Sequence, residues 1–322
     1  MSGVQLLDVP EADAGQRLDR WFKRLFPHVP HGRVEKLLRT GQLRVDGGRV
    51  KGSHRLEAGQ EVRVPPLPNP SEVKARKQGD RDWLADHAIY EDDELIAINK
   101  PFGLAVQGGS KTVRHVDGLL PEGYRLVHRL DRDTSGVLLI AKHARAAKSA
   151  ARAFQSKRAE KTYWAITNGV PSPEAGEIKG YLAKGRMGAE FGKQHLGKEI
   201  MQPVRHGHDG AKHARTLYST DQKAGAKAAL VVMRPLTGRT HQLRVHAQLL
   251  GSPIAGDPKY MTDRPLPGGL DTKLHLHARE LVIPRDGRGE LHLSAPLPAH
   301  MKSAFDRLGF SMDVTPVDWE VL

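Results

Sequence analysis

Cysteine is absent from this chain, and so is any long apolar run. Without cysteine there is no disulfide framework, no thiolate nucleophile and no thiolate metal site, so an intracellular setting is the default. No apolar stretch approaches the roughly 18 residues a membrane-crossing helix needs, and the first residues carry no hydrophobic signal region. Neither G-x-x-x-x-G-K-[ST] nor G-x-G-x-x-G follows a strand signal, which argues against a nucleotide cofactor. The 322 residues, 39% of them hydrophobic, suit a soluble protein of about two domains with a real core. Positive charge is what the chain has in excess. Fifty Lys and Arg stand against 37 Asp and Glu, a formal net charge of +13, and such an excess favours a polyanionic partner.

The charge is concentrated near the start. Ala14 to Val64 holds twelve Lys and Arg against five Asp and Glu. Helical spacing from Arg17 to Phe26 sets Leu18, Trp21, Phe22 and Leu25 on one face and leaves Arg17, Arg20, Lys23 and Arg24 outside. A second short helix turns Val34, Leu37 and Leu38 inward and Arg33, Lys36 and Arg39 outward, and Gly41 closes it. Two strand signals, Leu43–Val45 and Glu61–Val64, flank a Gly47-Gly48 turn. Two basic helical stripes beside a basic hairpin favour contact with RNA or DNA over a merely solvated face. Pro65, Pro66, Pro68 and Pro70, followed by charged residues to Asp82, read as a semi-rigid linker. The expected organisation is therefore a small module at 1–65, a linker at 66–82 and a main body at 83–322.

The main body centres on Val127 to Lys142, V-H-R-L-D-R-D-T-S-G-V-L-L-I-A-K. A doubly charged loop runs into a short apolar strand, so Asp131 is expected at the rim of a sheet, kept ionised by flanking arginines. Upstream, the strand Leu95–Ile98 leads into Asn99-Lys100-Pro101-Phe102-Gly103, where Lys100 is a candidate phosphate contact and equally a plain structural lysine. Downstream, an alanine-rich helix spans 143–157, and Lys161 to Ile166 alternates as a strand that sets Tyr163 and Ala165 on the face opposite Trp164 and Ile166. Lys184 to His213 reads as an extended basic surface, partly mobile, that could follow a phosphate backbone. After the strand Ala229–Met233, Thr240 is a candidate cap for a helix running to Leu250. Arg244 within that largely apolar helix needs an anionic partner, and Asp131 would serve. His275 and His277 form an H-x-H pair that nothing nearby completes as a zinc site, so no metal is expected. His128 and His241 could in principle form an acid–base pair.

Two resemblances follow from these stretches. R-L-D-R-W-F from Arg17, R-V-E-K-L-L-R-T-G-Q-L-R-V-D-G from Arg33 and L-E-A-G-Q-E-V-R-V from Leu56 resemble the S4 RNA-binding domain. N-K-P-F-G-L-A-V from Asn99, H-R-L-D-R-D-T-S-G from His128, K-T-Y-W-A from Lys161, L-T-G-R-T-H-Q-L-R-V-H from Leu236 and G-S-P-I-A-G-D-P-K-Y from Gly251 occur in the order seen in RluA-type pseudouridine synthases. This second resemblance implies an α+β catalytic domain on a mixed, mainly antiparallel sheet, acting as a cofactor-free RNA uridine isomerase. By the same resemblance Asp131 matches the catalytic aspartate, Tyr163 the tyrosine beside the target base, Arg244 the arginine that pairs with the aspartate, and Arg129 the residue that enters the RNA stack when the uridine leaves it. Arg17, Arg20, Arg33, Lys36, Arg39 and Lys100 are the remaining expected RNA contacts. The expected partner is 23S rRNA, free or in a large-subunit assembly intermediate, met by a cytoplasmic monomer. The alternatives are the same chemistry on another RNA such as tRNA, and a non-catalytic RNA-binding factor in ribosome assembly.

Overall fold

A computed structural model of the chain describes residues 3–29, 31–67, 80–108, 114–188, 197, 199–260 and 265–322. Most of the expected linker lies outside these residues. The chain divides into two compact units, Met1–Asp82 and Trp83–Leu322.

The first unit packs the helices Leu18–Leu25 and His31–Arg39 with a three-stranded antiparallel sheet. The sheet order is β1 (Gln5–Asp8), β3 (Glu61–Val64), β2 (Arg44–Val45). Leu18, Trp21, Phe22, Val34 and Leu37 meet Leu43, Leu56, Val62 and Val64 in its core. Buried Asp13 accepts from the Trp21 indole at 2.9 Å and pairs with Arg24. Leu25 corrects the expected stripe: it is 43% exposed, and Phe26, where the backbone leaves helical geometry, turns inward in its place. Asp46 takes a left-handed φ of 48° and its side chain accepts from the Glu61 N–H, a turn geometry that Asp tolerates better than most residues.

In the second unit a single sheet of eleven strands, counted among the described residues, carries everything else. Its main path runs β10 (Glu199–Val204), β9 (Ala175–Arg186), β11 (Lys212–Ala224), β12 (Ala228–Pro235), β8 (Glu160–Asn168), β13 (Leu276–Arg285), β7 (Ser135–Ala141), β5 (Leu95–Lys100), β4 (Ala88–Glu91). β6 (Arg125–Leu126) pairs with β7, and β14 (Gly289–Ser294) with β13. Only β7 and β13 run parallel among these pairings, so the sheet is mixed and mainly antiparallel. The stretch Lys184 to His213, expected as an extended and partly mobile surface, is extended where β9, β10 and β11 satisfy one another's backbones, and its residues 189–196 and 198 lie outside the described residues.

The period of two sorts side chains between the faces. Tyr163 and Ala165 join Ile98, Leu138, Val231 and Met233 on one face, covered by Leu243 and Ala247 of the helix Gln242–Leu249. Trp164 and Ile166 turn to the other face, under Met301, Ala304 and Phe305 of the helix Ala299–Leu308. The helix Ala144–Gln155 covers that second face further along, through Ala146, Ala150 and Ala153. Gly136 sits where β7 and β13 pair in parallel, with φ of 111°, and any Cβ there would drive into the Ala278 backbone. That close approach brings the loop before β7 against the rest of the sheet.

Candidate active site

The loop carrying Asp131 is held from three sides. Its turn closes with the Thr134 N–H on the Asp131 carbonyl at 3.2 Å. Arg132 pairs outward with Asp133 at 2.9 Å, so the second aspartate of the D-R-D triplet is occupied at the surface. From beneath, Lys100 donates to the carbonyls of Pro101, Leu104 and Arg132 at 2.9, 2.8 and 3.0 Å. Lys100 is completely buried, which corrects its expected place as an RNA contact: no phosphate can reach it. Burial pulls its pKa down to about 7, against Asp133 and Asp131, which pull it up. Three carbonyl acceptors consume all three donors of the ammonium form, whereas the neutral amine has two. Lys100 therefore fastens the N-K-P loop to the Asp131 loop.

Above that loop opens a cavity of about 380 Å³ lined by Arg129, Asp131, Tyr163, His241 and Arg244, among others. Four residues expected at the site, Arg129, Asp131, Tyr163 and Arg244, thus converge on one space. Arg20, Arg33, Lys36 and Arg39 lie exposed on the first unit, and Arg17 there pairs with Asp19 at 2.6 Å.

Arg244 answers mainly to a residue the sequence reading passed over. Its Nε and Nη2 grip Asp257 Oδ2 and Oδ1, both at 2.7 Å, in a fork from which water is excluded. Its free Nη1 stands 3.8 Å from Asp131 Oδ2. Asp257 Oδ1 also accepts the N–H groups of Lys259 and Tyr260, which shapes the G-D-P-K-Y turn around the pair. Asp131 is therefore the second anion near Arg244. Burial pushes the Asp131 carboxyl above its ordinary value, while Arg244 and then Arg129 pull it back. The arginines moderate that rise and do not reverse it, contrary to the expectation from their sequence proximity.

Tyr163 reaches the cavity from β8 with its hydroxyl free of any hydrogen-bond partner among the described residues. Burial and the nearby Asp131 charge raise its pKa, so it is a neutral phenol at physiological pH. His128 points away from such chemistry: its Nε2 accepts from the Leu139 N–H at 2.8 Å and its ring stacks on Phe154 at 4.7 Å. Burial lowers its pKa to about 3. The His128–His241 acid–base pair is not assembled, because the His128 acceptor is already committed to the backbone.

His241 stands where Thr240 was expected to cap the helix, and it adopts a left-handed φ of 52° with no side-chain cap. Its Nδ1 meets the hydroxyl of fully buried Tyr260 at 2.9 Å, and its Nε2 faces Asp131 Oδ2 at 3.9 Å. Nothing in the T-H-Q spacing announces this arrangement. The signal available was that a buried arginine requires a carboxylate, and Asp257 follows the same helix in G-D-P-K-Y. The H-x-H histidines are structural, with His277 on Ser135 at 2.8 Å and His275 on the Ala255 carbonyl at 3.2 Å. Among the described residues no group of three or more His, Cys, Asp or Glu could hold a metal ion.

Residues 94–249 match the family described as RNA pseudouridylate synthase. Ribosomal large subunit pseudouridine synthase C of Vibrio cholerae is 36% identical over 95% of this chain and 97% of its own length. The protein of the same name from Escherichia coli is 35% identical over the same shares. Among solved structures, Human RNA Pseudouridylate Synthase Domain Containing 4 superposes with a TM-score of 0.60 at 30% identity, covering 74% of this chain and 98% of its own.

Proposed function

The chain belongs to the RNA pseudouridylate synthase family, and from that premise we infer that it isomerises uridines of 23S rRNA at Asp131. The observation that carries the reading is the convergence of Asp131, Arg244, Tyr163 and Arg129 on one cavity whose volume of about 380 Å³ has room for an extruded base. The rRNA target rests on the likeness to the large-subunit enzymes along nearly the whole chain.

Isomerisation breaks the C1′–N1 bond and forms C1′–C5 in its place. N1 gains a proton and C5 loses one, with no net redox change. The base must first leave its stack, at a cost of a few kcal/mol that protein contacts offset. Arg129, exposed at the cavity, fills the vacated stack in this scheme. Asp131 then acts as nucleophile or proton acceptor at the sugar, and Arg244 keeps enough of it ionised to do so. Tyr163, a phenol at neutral pH, supports the flipped base by stacking and through its unpartnered hydroxyl.

The first unit acts as the S4-like RNA-binding module, with Arg20, Arg33, Lys36 and Arg39 meeting phosphates. The protein works as a cytoplasmic monomer on rRNA, free or in an assembly intermediate. No helix of the described residues is long and apolar enough to cross a membrane.

The test is tritium release from 23S rRNA transcripts labelled at uridine C5. Wild-type protein is expected to release tritium with the RNA chains intact, and Asp131→Asn to release none while still binding RNA. Equal release by Asp131→Asn would remove Asp131 from the reaction, and shortened RNA would point to a nuclease.

A further inference from the structure

His241 lines the cavity and takes no part in the reaction scheme, and behind it lies Tyr260. Tyr260 is fully buried, and its hydroxyl oxygen accepts from the Met201 N–H at 3.0 Å. Among the described residues no acceptor other than His241 Nδ1, at 2.9 Å, meets that hydroxyl's proton. The hydroxyl therefore donates to Nδ1, which leaves the proton of the neutral imidazole on Nε2. A neutral ring is what burial beside Arg244, Lys259 and Arg129 favours, and its pKa is pulled down to about 3. The backbone holds His241 in the left-handed region, an arrangement uncommon for histidine and one that aims the ring at the cavity.

The Nε2–H so directed stops 3.9 Å short of Asp131 Oδ2, too far for a direct hydrogen bond. An oxygen at about 2.8 Å from each atom fits the gap, with an angle near 90° at that oxygen. It must accept from His241 and donate to the carboxylate at the same time. Uracil offers carbonyls, which only accept, and an N3–H, which only donates. Within an RNA chain the 3′-hydroxyl is esterified, so the free group that does both is the ribose 2′-hydroxyl. That hydroxyl is also the group by which a protein distinguishes RNA from DNA at a given position.

We propose that His241, fixed as its Nε2–H tautomer by Tyr260, reads the 2′-hydroxyl of the flipped nucleotide and seats it on Asp131. The proposal rests on the uridine-isomerase reading of this cavity and adds to it a residue that selects ribose over deoxyribose. The arrangement also explains why the Asp131–His241 and Asp131–Arg244 gaps, 3.9 and 3.8 Å, are both open. They converge on Oδ2, where the sugar is received.

The experiment uses the full-length protein and RNA hairpins of 23S rRNA sequence that it converts. Each is compared with the same hairpin carrying 2′-deoxyuridine, or 2′-O-methyluridine, at the target position alone. For wild type, the deoxy hairpin should lose about tenfold or more in kcat/KM. In His241→Ala the ribo hairpin should lose a similar factor, and the further penalty for the deoxy sugar should shrink by about threefold or more. His241→Gln, which keeps an N–H at similar reach, should recover part of the difference. The 2′-O-methyl hairpin, which can accept from His241 and cannot donate to Asp131, should be converted poorly by both wild type and His241→Ala.

Two results overturn the proposal. One is wild-type protein converting ribo and deoxy hairpins equally, which needs no variant. The other is an unchanged deoxy penalty in soluble, RNA-binding His241→Ala. Failure of wild type to convert any ribo hairpin would instead overturn the isomerase reading itself.

Discussion

Asp131, Arg244 and their proximity were legible from the chain alone, and the principal partner of Arg244, Asp257, was not. An aspartate between arginines reads as a depressed carboxylate when only neighbours in sequence are visible. In the folded chain, burial outweighs those neighbours and the carboxyl rises. The sign of its contribution to stability follows. A group whose folded pKa exceeds its unfolded value stabilises the native state below the unfolded pKa, and this is lost as pH rises through the folded pKa. Asp131→Asn should therefore be more stable than wild type in urea titrations at neutral pH, with the gap closing toward pH 3. The acid limb of wild-type kcat/KM should lie above the ordinary carboxylate value for the same reason. Asp257 was missed because a shaped Gly-Pro loop looks alike whether its aspartate serves the turn or a distant arginine. Here it serves both. Asp257→Ala would leave Arg244 buried without its principal anion and should cost about 3–5 kcal/mol, measured by denaturant unfolding. A loss below about 1 kcal/mol would mean that Asp131 alone suffices.

Strands were read more accurately than the ends of helices. Alternation in Lys161 to Ile166 assigned both faces of β8, because period two has no competing solution for a buried central strand. The helix Leu18–Leu25 was found with its face slightly misjudged. Leu25 continues the stripe in sequence, but the helix ends there and Phe26 turns in. Lys100 failed as a surface contact for a related reason: the strand before it was visible, and the three carbonyls that gather around its ammonium come from two different loops. Lys100→Met keeps the volume and removes the fastening. It should lower kcat through loosening of the Asp131 loop while leaving RNA affinity within about twofold. A large loss of affinity with unchanged kcat would restore Lys100 as a binding residue. Gly136→Ala forces a Cβ into the Ala278 backbone at a φ other residues avoid, and should destabilise by about 3 kcal/mol or more, read from thermal unfolding.

In the proposed scheme the first unit supplies RNA affinity and the second the chemistry. Each encloses its own core, so loss of the first should leave the second folded. A chain starting at residue 83 should retain the far-ultraviolet spectrum of a mainly β protein and bind rRNA more weakly. The slope of log affinity against log salt should fall by nearly one for each phosphate contact removed. An unchanged slope would mean that the cations of the first unit do not touch RNA. Composition pointed to a polyanionic partner, and the synthase-like motifs pointed to the family that residues 94–249 match. The cavity itself was not legible, because its walls come from residues more than a hundred positions apart, Arg129 to Arg244, and meet only when β7 and β13 pair.

The most direct trial is carbodiimide mapping of pseudouridine across 23S rRNA and tRNA from cells lacking the gene, complemented with wild type or with Asp131→Asn. The expected result is 23S sites that disappear on deletion, return with wild type and stay absent with Asp131→Asn. Full restoration by Asp131→Asn, or deletion that removes no site in either RNA, would contradict it.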